Sequence, residues 1–324
     1  MKNNKVNVTK GSYKGFLSIG MESEQISLKL LPELGGKLVS IVYKSTGKEW
    51  MLDSGHRSLR QPKYGSTFTD WDMSGWDECF PTINACKSGM DKYMNLPDHG
   101  ELWALPWQYM IDENEVICWV RSLQLPCLFT RRISFPSADR VRLDYRASNE
   151  SDQPVPFMWV PHPQFAVTEP TRILLPKSIK EMLCVYEGHT LKTGKLYSWD
   201  DVSLLSPAVT GDARKFYYGG QVPVGWSGLF GEESGNFLIV SVPQNKVPYI
   251  GVWMDEGMFN DRVTCALEPS IGYYDSLEMA VGNGTAQMIP AKASFEWHLE
   301  LSLGVTLRRD EISHESFSIH HMFK

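Results

Sequence analysis

Short runs in which polar and apolar residues alternate are the dominant pattern along the chain. The run QISLKL at 25–30 alternates with a period of two, and residues 39–43 do the same before a Ser-Thr-Gly turn at 45–47. Alternation of this kind predicts β-strands with one buried face. Further strand-like runs lie at 115–120, 128–133, 141–146, 156–160, 237–242, 249–253 and 295–301.

Helical signals are few. The sequence Asp275-Ser276-Leu277-Glu278 has the form of a capping box, which predicts a short helix over 277–281 that ends at Gly282. Many strands, few helices and no linker predict an all-β protein with a single antiparallel domain over residues 1–324. We expect its core at about 15–305 and a C-terminal extension at 306–324.

The segment at 64–86, YGSTFTDWDMSGWDECFPTINAC, has no clear period. Aromatic residues are interleaved there with carboxylates, including Trp76 and Asp77. A sugar site uses both, because the apolar face of a sugar ring stacks on an indole and its hydroxyls pair with carboxylates. The alternative is a loop that closes one end of a β-sandwich, and the sequence alone leaves both open.

The charge balance excludes two classes of partner. Lys and Arg number 32 and Asp and Glu 38, so the formal charge is -6, and no basic block occurs. Nucleic acids and anionic membrane surfaces both attract cationic patches, so neither is expected here. The chain has no run of 18 apolar residues, so no membrane-spanning helix is expected. Its first residues are polar and lack the apolar segment of a signal peptide. We therefore expect a cytoplasmic protein.

The sequence also lacks the usual signatures of cofactors and metals. No glycine-rich phosphate loop is present, and none of the six cysteines forms a C-x-x-C pair. We expect no cofactor and no metal, and cysteines that are reduced and mostly buried. Three histidines near the C-terminus have no regular ligand spacing, which favours a solvated tail. These are His314, His320 and His321.

Two histidines lie in segments where chemistry is plausible. His99 precedes Gly100 at a predicted turn, where its ring can face a cleft or lie in solvent. His162 follows a strand-like run and lies between Pro161 and Pro163. The two prolines restrict the backbone at His162 to extended conformations, which would help to aim its imidazole. The alternative is a strand end with an incidental histidine.

Glu268 is the third candidate. Alternation over residues 263–270 places it on the same strand face as Thr264 and Ala266. A glutamate among small residues at a strand end can point into a cleft, with its pKa set by partial burial. The alternative is an ordinary carboxylate on an edge strand.

Several segments, in their order along the chain, resemble the aldose 1-epimerase family, the galactose mutarotase-like proteins. They are ELGGKLVSIVYKSTGKEWM, PDHGELW, HPQF, PYIGVW, ALEPSIGYYDSLEMA and FEWHLELSLG, and the resemblance covers about residues 15–305. It implies a β-supersandwich, in which large antiparallel sheets curve around a sugar cleft. It also implies the interconversion of the α and β anomers of aldoses without a cofactor.

The resemblance implies a role for each of the three candidates. Glu268 would be the general base that takes the proton of the anomeric hydroxyl, and His162 the general acid that protonates the ring oxygen. His99 would hydrogen-bond the ring oxygen or a neighbouring hydroxyl. The ring opens, the C1–C2 bond rotates, and the carbonyl recloses on its other face. A glutamate and a histidine suit this reaction, because one proton is removed and one is delivered near neutral pH.

The chain departs from the family pattern at two places. Typical galactose mutarotases carry an Asn-Arg pair before the first histidine, whereas this chain reads GWDECFP at 75–81. That region is more similar to the hexose-6-phosphate epimerase branch, although it has no clear arginine pair for a phosphate. The substrate-binding aspartate of the family has three candidate counterparts, Asp200, Asp201 and Asp212. We predict substrate contacts at Trp76, Asp77 and Trp253.

The predicted function is a carbohydrate isomerase that acts on an aldose or an aldose derivative. One alternative is a carbohydrate-binding or sensing protein that has the same cleft without turnover. Another is a lyase or hydrolase, which would need a second acid/base carboxylate, such as Asp77 or Glu78, or a tyrosine near the cleft. Lys215 could reach an acidic substrate, but we expect it on the surface. The expected partner is a small-molecule sugar, and the expected state is a monomer or a homodimer.

Overall fold

Antiparallel pairing of alternating strands builds the architecture. The computed structural model describes residues 5–87 and 95–312, in which the strands are numbered β1 to β26 in chain order. Every pair of these strands is antiparallel, as expected where hairpins connect successive strands. Three large sheets hold most of them.

The first sheet carries His162 on its last strand. Its strands are β1 (Asn7–Tyr13), β2 (Phe16–Glu22), β3 (Ile26–Leu31), β4 (Lys37–Tyr43), β5 (Lys48–Glu49), β6 (Trp76–Cys79) and β14 (Val160–Pro163). They pair in the order β1-β2-β3-β4-β6-β14, and β5 adds to β4. The segment at 64–86 therefore contributes a sheet strand, β6, as well as loops.

The second sheet is the largest. Its strands are β9 (Gln108–Asp112), β10 (Glu115–Arg121), β11 (Cys127–Ser137), β12 (Arg140–Asn149), β16 (Thr171–Leu174), β19 (Leu204–Leu205), β21 (Trp226–Gly231), β22 (Asn236–Ser241) and β26 (Ser294–Val305). They pair in the order β19-β16-β21-β22-β26-β12-β11-β10-β9. Buried residues alternate with half-buried or exposed ones along most of β10, β11 and β12, so one face of this sheet packs inward.

The third sheet carries Glu268. Its strands are β15 (Phe165–Ala166), β17 (Glu181–Tyr186), β18 (Leu196–Ser198), β20 (Asp212–Tyr217), β23 (Tyr249–Glu256) and β24 (Thr264–Ser270), in the order β15-β24-β23-β20-β17-β18. Two small two-stranded sheets complete the strands. They are β7 (Cys86–Lys87) with β8 (Asn95–Leu96), and β13 (Val155–Phe157) with β25 (Gln287–Ile289).

Helices are short in the described residues. They are α1 (Trp199–Val202), α2 (Leu277–Gly282) and the 3₁₀ turns Phe68–Asp70, Leu102–Ala104 and Arg309–Glu311. The helix predicted over 277–281 is confirmed, but its N-cap is Ser276, whose hydroxyl accepts a hydrogen bond from the Met279 amide. Asp275 does not cap the helix, because its carboxylate pairs with Lys215.

The three large sheets share one apolar core. Its buried residues come from all three, with Leu28 on β3, Leu143 on β12 and Val252 on β23 as examples. Burial of this apolar surface is the main favourable contribution to folding. The predicted strands are confirmed, with one difference. The run predicted at 156–160 is divided between β13 and β14, which belong to different sheets.

A buried ion pair connects the first two sheets. The Arg131 guanidinium donates to Glu78 at 2.9 Å, and both side chains are fully buried. Glu78 also accepts hydrogen bonds from the Tyr145 hydroxyl and the Trp159 indole, both at 2.8 Å. Buried charges need such partners, since an unpaired one is costly. Glu78 is therefore committed to the core and is not free to act as a second catalytic carboxylate.

Several chemical features of the described residues bear on the sequence predictions. None of the helices there is long and apolar enough to cross a membrane. All six cysteines are free, and all but Cys86 are buried. No group of three or more His, Cys, Asp or Glu side chains in residues 5–87 and 95–312 could hold a metal ion. The tail histidines His314, His320 and His321 lie outside the described residues.

Candidate active site

The third sheet presents a set of polar side chains on one face. Lys215 lies opposite Trp253 in the pairing of β20 with β23, and Gly251 lies opposite Glu268 in the pairing of β23 with β24. Directly opposed residues of antiparallel strands point to the same face. A Cβ at Gly251 would lie 3.0 Å from a Glu268 carboxylate oxygen, so glycine leaves the room that this side chain occupies. In the strand order β24 lies between β15 and β23, and Glu268 itself pairs with β23, while β15 pairs with Thr264 and Cys265.

His162 meets Glu268 across two sheets. The imidazole Nδ1 of His162 lies 2.9 Å from Glu268 Oε1. Its Nε2 lies 2.9 Å from the side-chain amide nitrogen of Gln164, which is fully buried. The His162 side chain is 8 % exposed. His162 and Glu268 therefore converge on one point, although they lie on different sheets.

His99 completes the cluster from a tight turn. It has a φ of 57°, and Gly100 follows with a φ of 72°. A Cβ at Gly100 would overlap the Phe80 backbone, so the turn requires glycine there. The His99 ring stacks on Phe68 with a centroid distance of 4.3 Å and lies 4.9 Å from the His162 ring. A left-handed non-glycine residue is uncommon, and such conformations concentrate at functional sites.

Lys215 controls the charge of Glu268. Burial by itself would raise the pKa of Glu268, but the Lys215 ammonium at 3.3 Å and the hydrogen bond from His162 lower it to about 2. Lys215 also donates to Asp275 at 2.8 Å, and the Tyr217 hydroxyl donates to the same carboxylate at 2.7 Å. Glu268 is ionised throughout the neutral range. The prediction of a surface Lys215 is wrong, because β20 turns this side chain to the inner face.

The same contacts fix the protonation of His162. Burial lowers the pKa of His162, although the hydrogen bond to Glu268 opposes the shift. A carboxylate can only accept, so Nδ1 carries the proton of the neutral ring. Nε2 then has a free lone pair, which accepts the N–H of the Gln164 amide. Both ring nitrogens of His162 are thus engaged by the protein.

Asp77 lies beside His162 on the adjacent strand. The pairing of β6 with β14 places Asp77 directly opposite His162. Lys37 donates to Asp77 Oδ2 at 2.6 Å and to Asp72 at 3.0 Å, and all three side chains are buried. Burial raises the pKa of Asp77 to about 6, even though Lys37 opposes the shift. Asp77 Oδ1 is buried and has no hydrogen-bond partner among the described residues.

The other two predicted substrate contacts, Trp76 and Trp253, lie in different environments. Trp76 is fully buried and packs on Phe165 in the core, so the prediction that it contacts substrate is corrected. Successive strand residues point to opposite faces, and Asp77 takes the side of His162. Trp253 is partly exposed on the face of Glu268, where it packs on Phe259 at 5.6 Å.

The aspartates considered as counterparts of the family's substrate ligand lie elsewhere. Asp200 and Asp201 are exposed on α1. The carboxylate of Asp212 accepts hydrogen bonds from the His189 amide and the Thr190 hydroxyl, which fixes a loop. The strand that carries Asp212 brings Lys215 to the cluster instead.

Sequence reasoning missed four polar residues of the cluster. Lys215 and Tyr217 alternate along β20, and this spacing could have placed them on one face. Asp98 and Gln164 flank the two histidines in sequence, yet only the fold shows that their side chains contact them.

Comparison with known proteins identifies the fold. No family model matches the chain, and no curated protein sequence matches it. A candidate aldose 1-epimerase from Klebsiella pneumoniae has a similar structure, with a TM-score of 0.72 and 12% identity over 100% of this chain and 89% of that one. A protein from Synechocystis has a TM-score of 0.71 and 16% sequence identity, over 92% of this chain and 100% of its own. A galactose mutarotase-like protein from Clostridium acetobutylicum has a TM-score of 0.65 and 14% sequence identity, over 94% of this chain and 100% of that one. The predicted galactose mutarotase-like sandwich is confirmed as the fold.

Proposed function

We propose that the protein is a carbohydrate isomerase that interconverts the α and β anomers of an aldose or aldose derivative by acid/base ring opening. The observation that carries the proposal is the meeting of Glu268, His162 and His99, which come from three separate elements. Glu268 and His162 are 2.9 Å apart, and the two imidazole rings are 4.9 Å apart. Titratable groups with perturbed pKa values that meet at one point are typical of acid/base sites.

Glu268 is proposed as the general base. Its carboxylate takes the proton of the anomeric hydroxyl while a histidine delivers a proton to the ring oxygen, and the C1–O5 bond breaks to give the open-chain aldehyde. Rotation about C1–C2, followed by ring closure with the reverse proton transfers, gives the other anomer. Each acid or base contribution is worth roughly 10² to 10⁴ in rate. Ring opening of a hemiacetal needs no more chemistry than this pair supplies.

The groups around the cluster suit binding of hydroxyls. Asp77 has a buried carboxylate oxygen beside His162 with no partner among the described residues, and Trp253 has a partly exposed indole on the face of Glu268. A carboxylate accepts from sugar hydroxyls, and an indole stacks on the apolar side of a pyranose. Both are proposed substrate contacts.

One observation favours a second candidate, a carbohydrate-binding protein without turnover. Glu268 is 1 % exposed, and its two oxygens face His162 and Lys215. A base in this state can act only if substrate displaces one of these partners. If neither partner moves, the protein binds sugar without turnover and Glu268 is structural.

Anomer exchange measured by NMR saturation transfer tests the proposal over a panel of free aldoses, 6-phosphorylated aldoses and uronates. We expect acceleration with one class of sugar and its loss in Glu268→Gln. The matched control is Glu256→Gln, since Glu256 lies in the same sheet and pairs with Arg214 away from the cluster. No acceleration by the wild-type protein on any sugar of the panel would contradict the proposal.

A further inference from the structure

We propose that His99, oriented by Asp98, is the proton donor of ring opening, and that His162 is a positioning residue for Glu268. This assignment rests on the proposed function and reverses the roles that the family resemblance implies for the two histidines. It follows from which ring nitrogen each histidine has available.

His162 has no proton to give in the ground state. Its one N–H, on Nδ1, is bound to Glu268, and its Nε2 accepts from Gln164. To act as the acid it would have to break one of two buried hydrogen bonds, and a group left unsatisfied in a buried site costs free energy. What the geometry suits is holding the Glu268 carboxylate in a fixed orientation.

His99 has the complementary arrangement. Its Nδ1 lies 3.0 Å from Asp98 Oδ1, and its Nε2 has no hydrogen-bond partner among the described residues. Its side chain is 16 % exposed, twice the fraction of His162. A histidine that gives one nitrogen to a carboxylate and leaves the other open is arranged for proton transfer at the open nitrogen.

Asp98 is itself held in place. Its Oδ2 accepts the Phe68 amide at 2.8 Å, and the Phe68 ring stacks on the His99 imidazole. Burial would raise the pKa of Asp98, but the hydrogen bond with His99 and the Phe68 amide lower it below its usual range. The carboxylate and the stacked ring therefore hold the imidazole in one plane, with its proton on the Asp98 side secured.

The transfers then balance. The imidazolium of His99 gives its Nε2 proton to the ring oxygen as the C1–O5 bond breaks, and Glu268 takes the proton of the anomeric hydroxyl as C1=O1 forms. His99 is left neutral with its remaining proton on Nδ1, still bound to Asp98. Among the described residues, the charged groups that interact with His99 are Asp98 on its own turn and Asp77 on β6, and His162 is the titratable group that faces it from β14.

The first test uses variants of each histidine and of its partner. His99→Gln is expected to lower kcat by 10²-fold or more, roughly the contribution of one acid, and to abolish the alkaline limb of its pH profile. Asp98→Asn is expected to lower kcat about tenfold and to move that limb to lower pH, with little change in KM. His162→Gln is expected to lower kcat while the alkaline limb persists. The reverse pattern, a limb kept in His99→Gln and lost in His162→Gln, overturns the assignment.

The second test needs no turnover. Two-dimensional ¹⁵N NMR of the imidazoles, in protein without sugar, should show His162 as a neutral ring with its proton on Nδ1. Gln164→Leu should change the Nε2 signal of His162 and leave that of His99 unchanged. A proton on Nε2 of His162 at neutral pH overturns the assignment whatever the activity. Absence of exchange by the wild-type protein overturns the proposed function, and with it this step.

Discussion

The Lys215 ammonium is the main reason that Glu268 stays ionised, so Lys215→Met should change its titration strongly. The two charges are 3.3 Å apart in a buried site. At an effective dielectric constant of about 20, this separation corresponds to about 5 kcal/mol, or more than a thousandfold in the ionisation equilibrium. Without the Lys215 charge, only His162 opposes the rise in pKa that burial causes. The pKa of Glu268 should then rise from about 2 to above the usual value of a glutamate.

The same change carries a prediction about stability. The pKa of Glu268 falls from 4.5 to about 2 on folding, which corresponds to about 3 kcal/mol. Because the folded value is depressed, this stabilisation is complete above about pH 4.5 and is lost as the pH falls toward about 2. Lys215→Met should therefore be destabilised by at least about 3 kcal/mol near neutral pH and by much less in acid.

The assay is a ¹³C NMR titration of the Glu268 carboxyl, assigned with Glu268→Gln, alongside denaturant unfolding at several pH values. Tyr217→Phe is the matched control. It removes the other hydrogen bond to Asp275 but keeps the Lys215 charge, so Glu268 should still titrate as in the wild type. A Glu268 carboxyl that still titrates near 2 in Lys215→Met would show that the Lys215 charge does not set the ionisation of Glu268.

Three further predictions concern the frame of the site. Gly100→Ala should destabilise the protein by more than about 2 kcal/mol in denaturant unfolding, because the added Cβ would overlap the Phe80 backbone. Gly47→Ala is the control, because Gly47 has the same φ of 72° but lies in open space, and it should cost only about 1 kcal/mol. Arg131→Met should cost about 3 to 5 kcal/mol by leaving Glu78 charged and buried, and adding Glu78→Gln should recover part of that loss. Ser276→Ala should cost about 1 kcal/mol as the loss of an N-cap, and a drop within 0.2 kcal/mol of zero would contradict the capping assignment.

Alternation along the chain was sufficient to predict the strands and the antiparallel fold, because one buried face leaves a period of two in the sequence. It could not predict which strands of different sheets face each other. His162 and Glu268 are 106 residues apart, and their contact depends on how the first and third sheets pack. The order of weak motifs suggested that contact through a resemblance, and the structure provides it.

Charged residues were harder to place. Lys215 reads as a surface lysine because charge usually lies in solvent, yet two carboxylates on neighbouring elements stabilise it inside. Trp76 reads as a sugar platform because it adjoins carboxylates, yet it belongs to a sheet strand whose alternation sends it to the core. In both cases the deciding contacts are far apart in sequence.

We propose that the cluster of Glu268, His162 and His99 catalyses anomer exchange of a bound sugar. The most direct test measures binding and anomer exchange of the same sugar in the same sample, for the wild type and for Glu268→Gln. The account predicts that both proteins bind with affinities within a few-fold of each other, and that only the wild type accelerates exchange. Binding by both proteins without acceleration by either would contradict it and would leave a carbohydrate-binding protein.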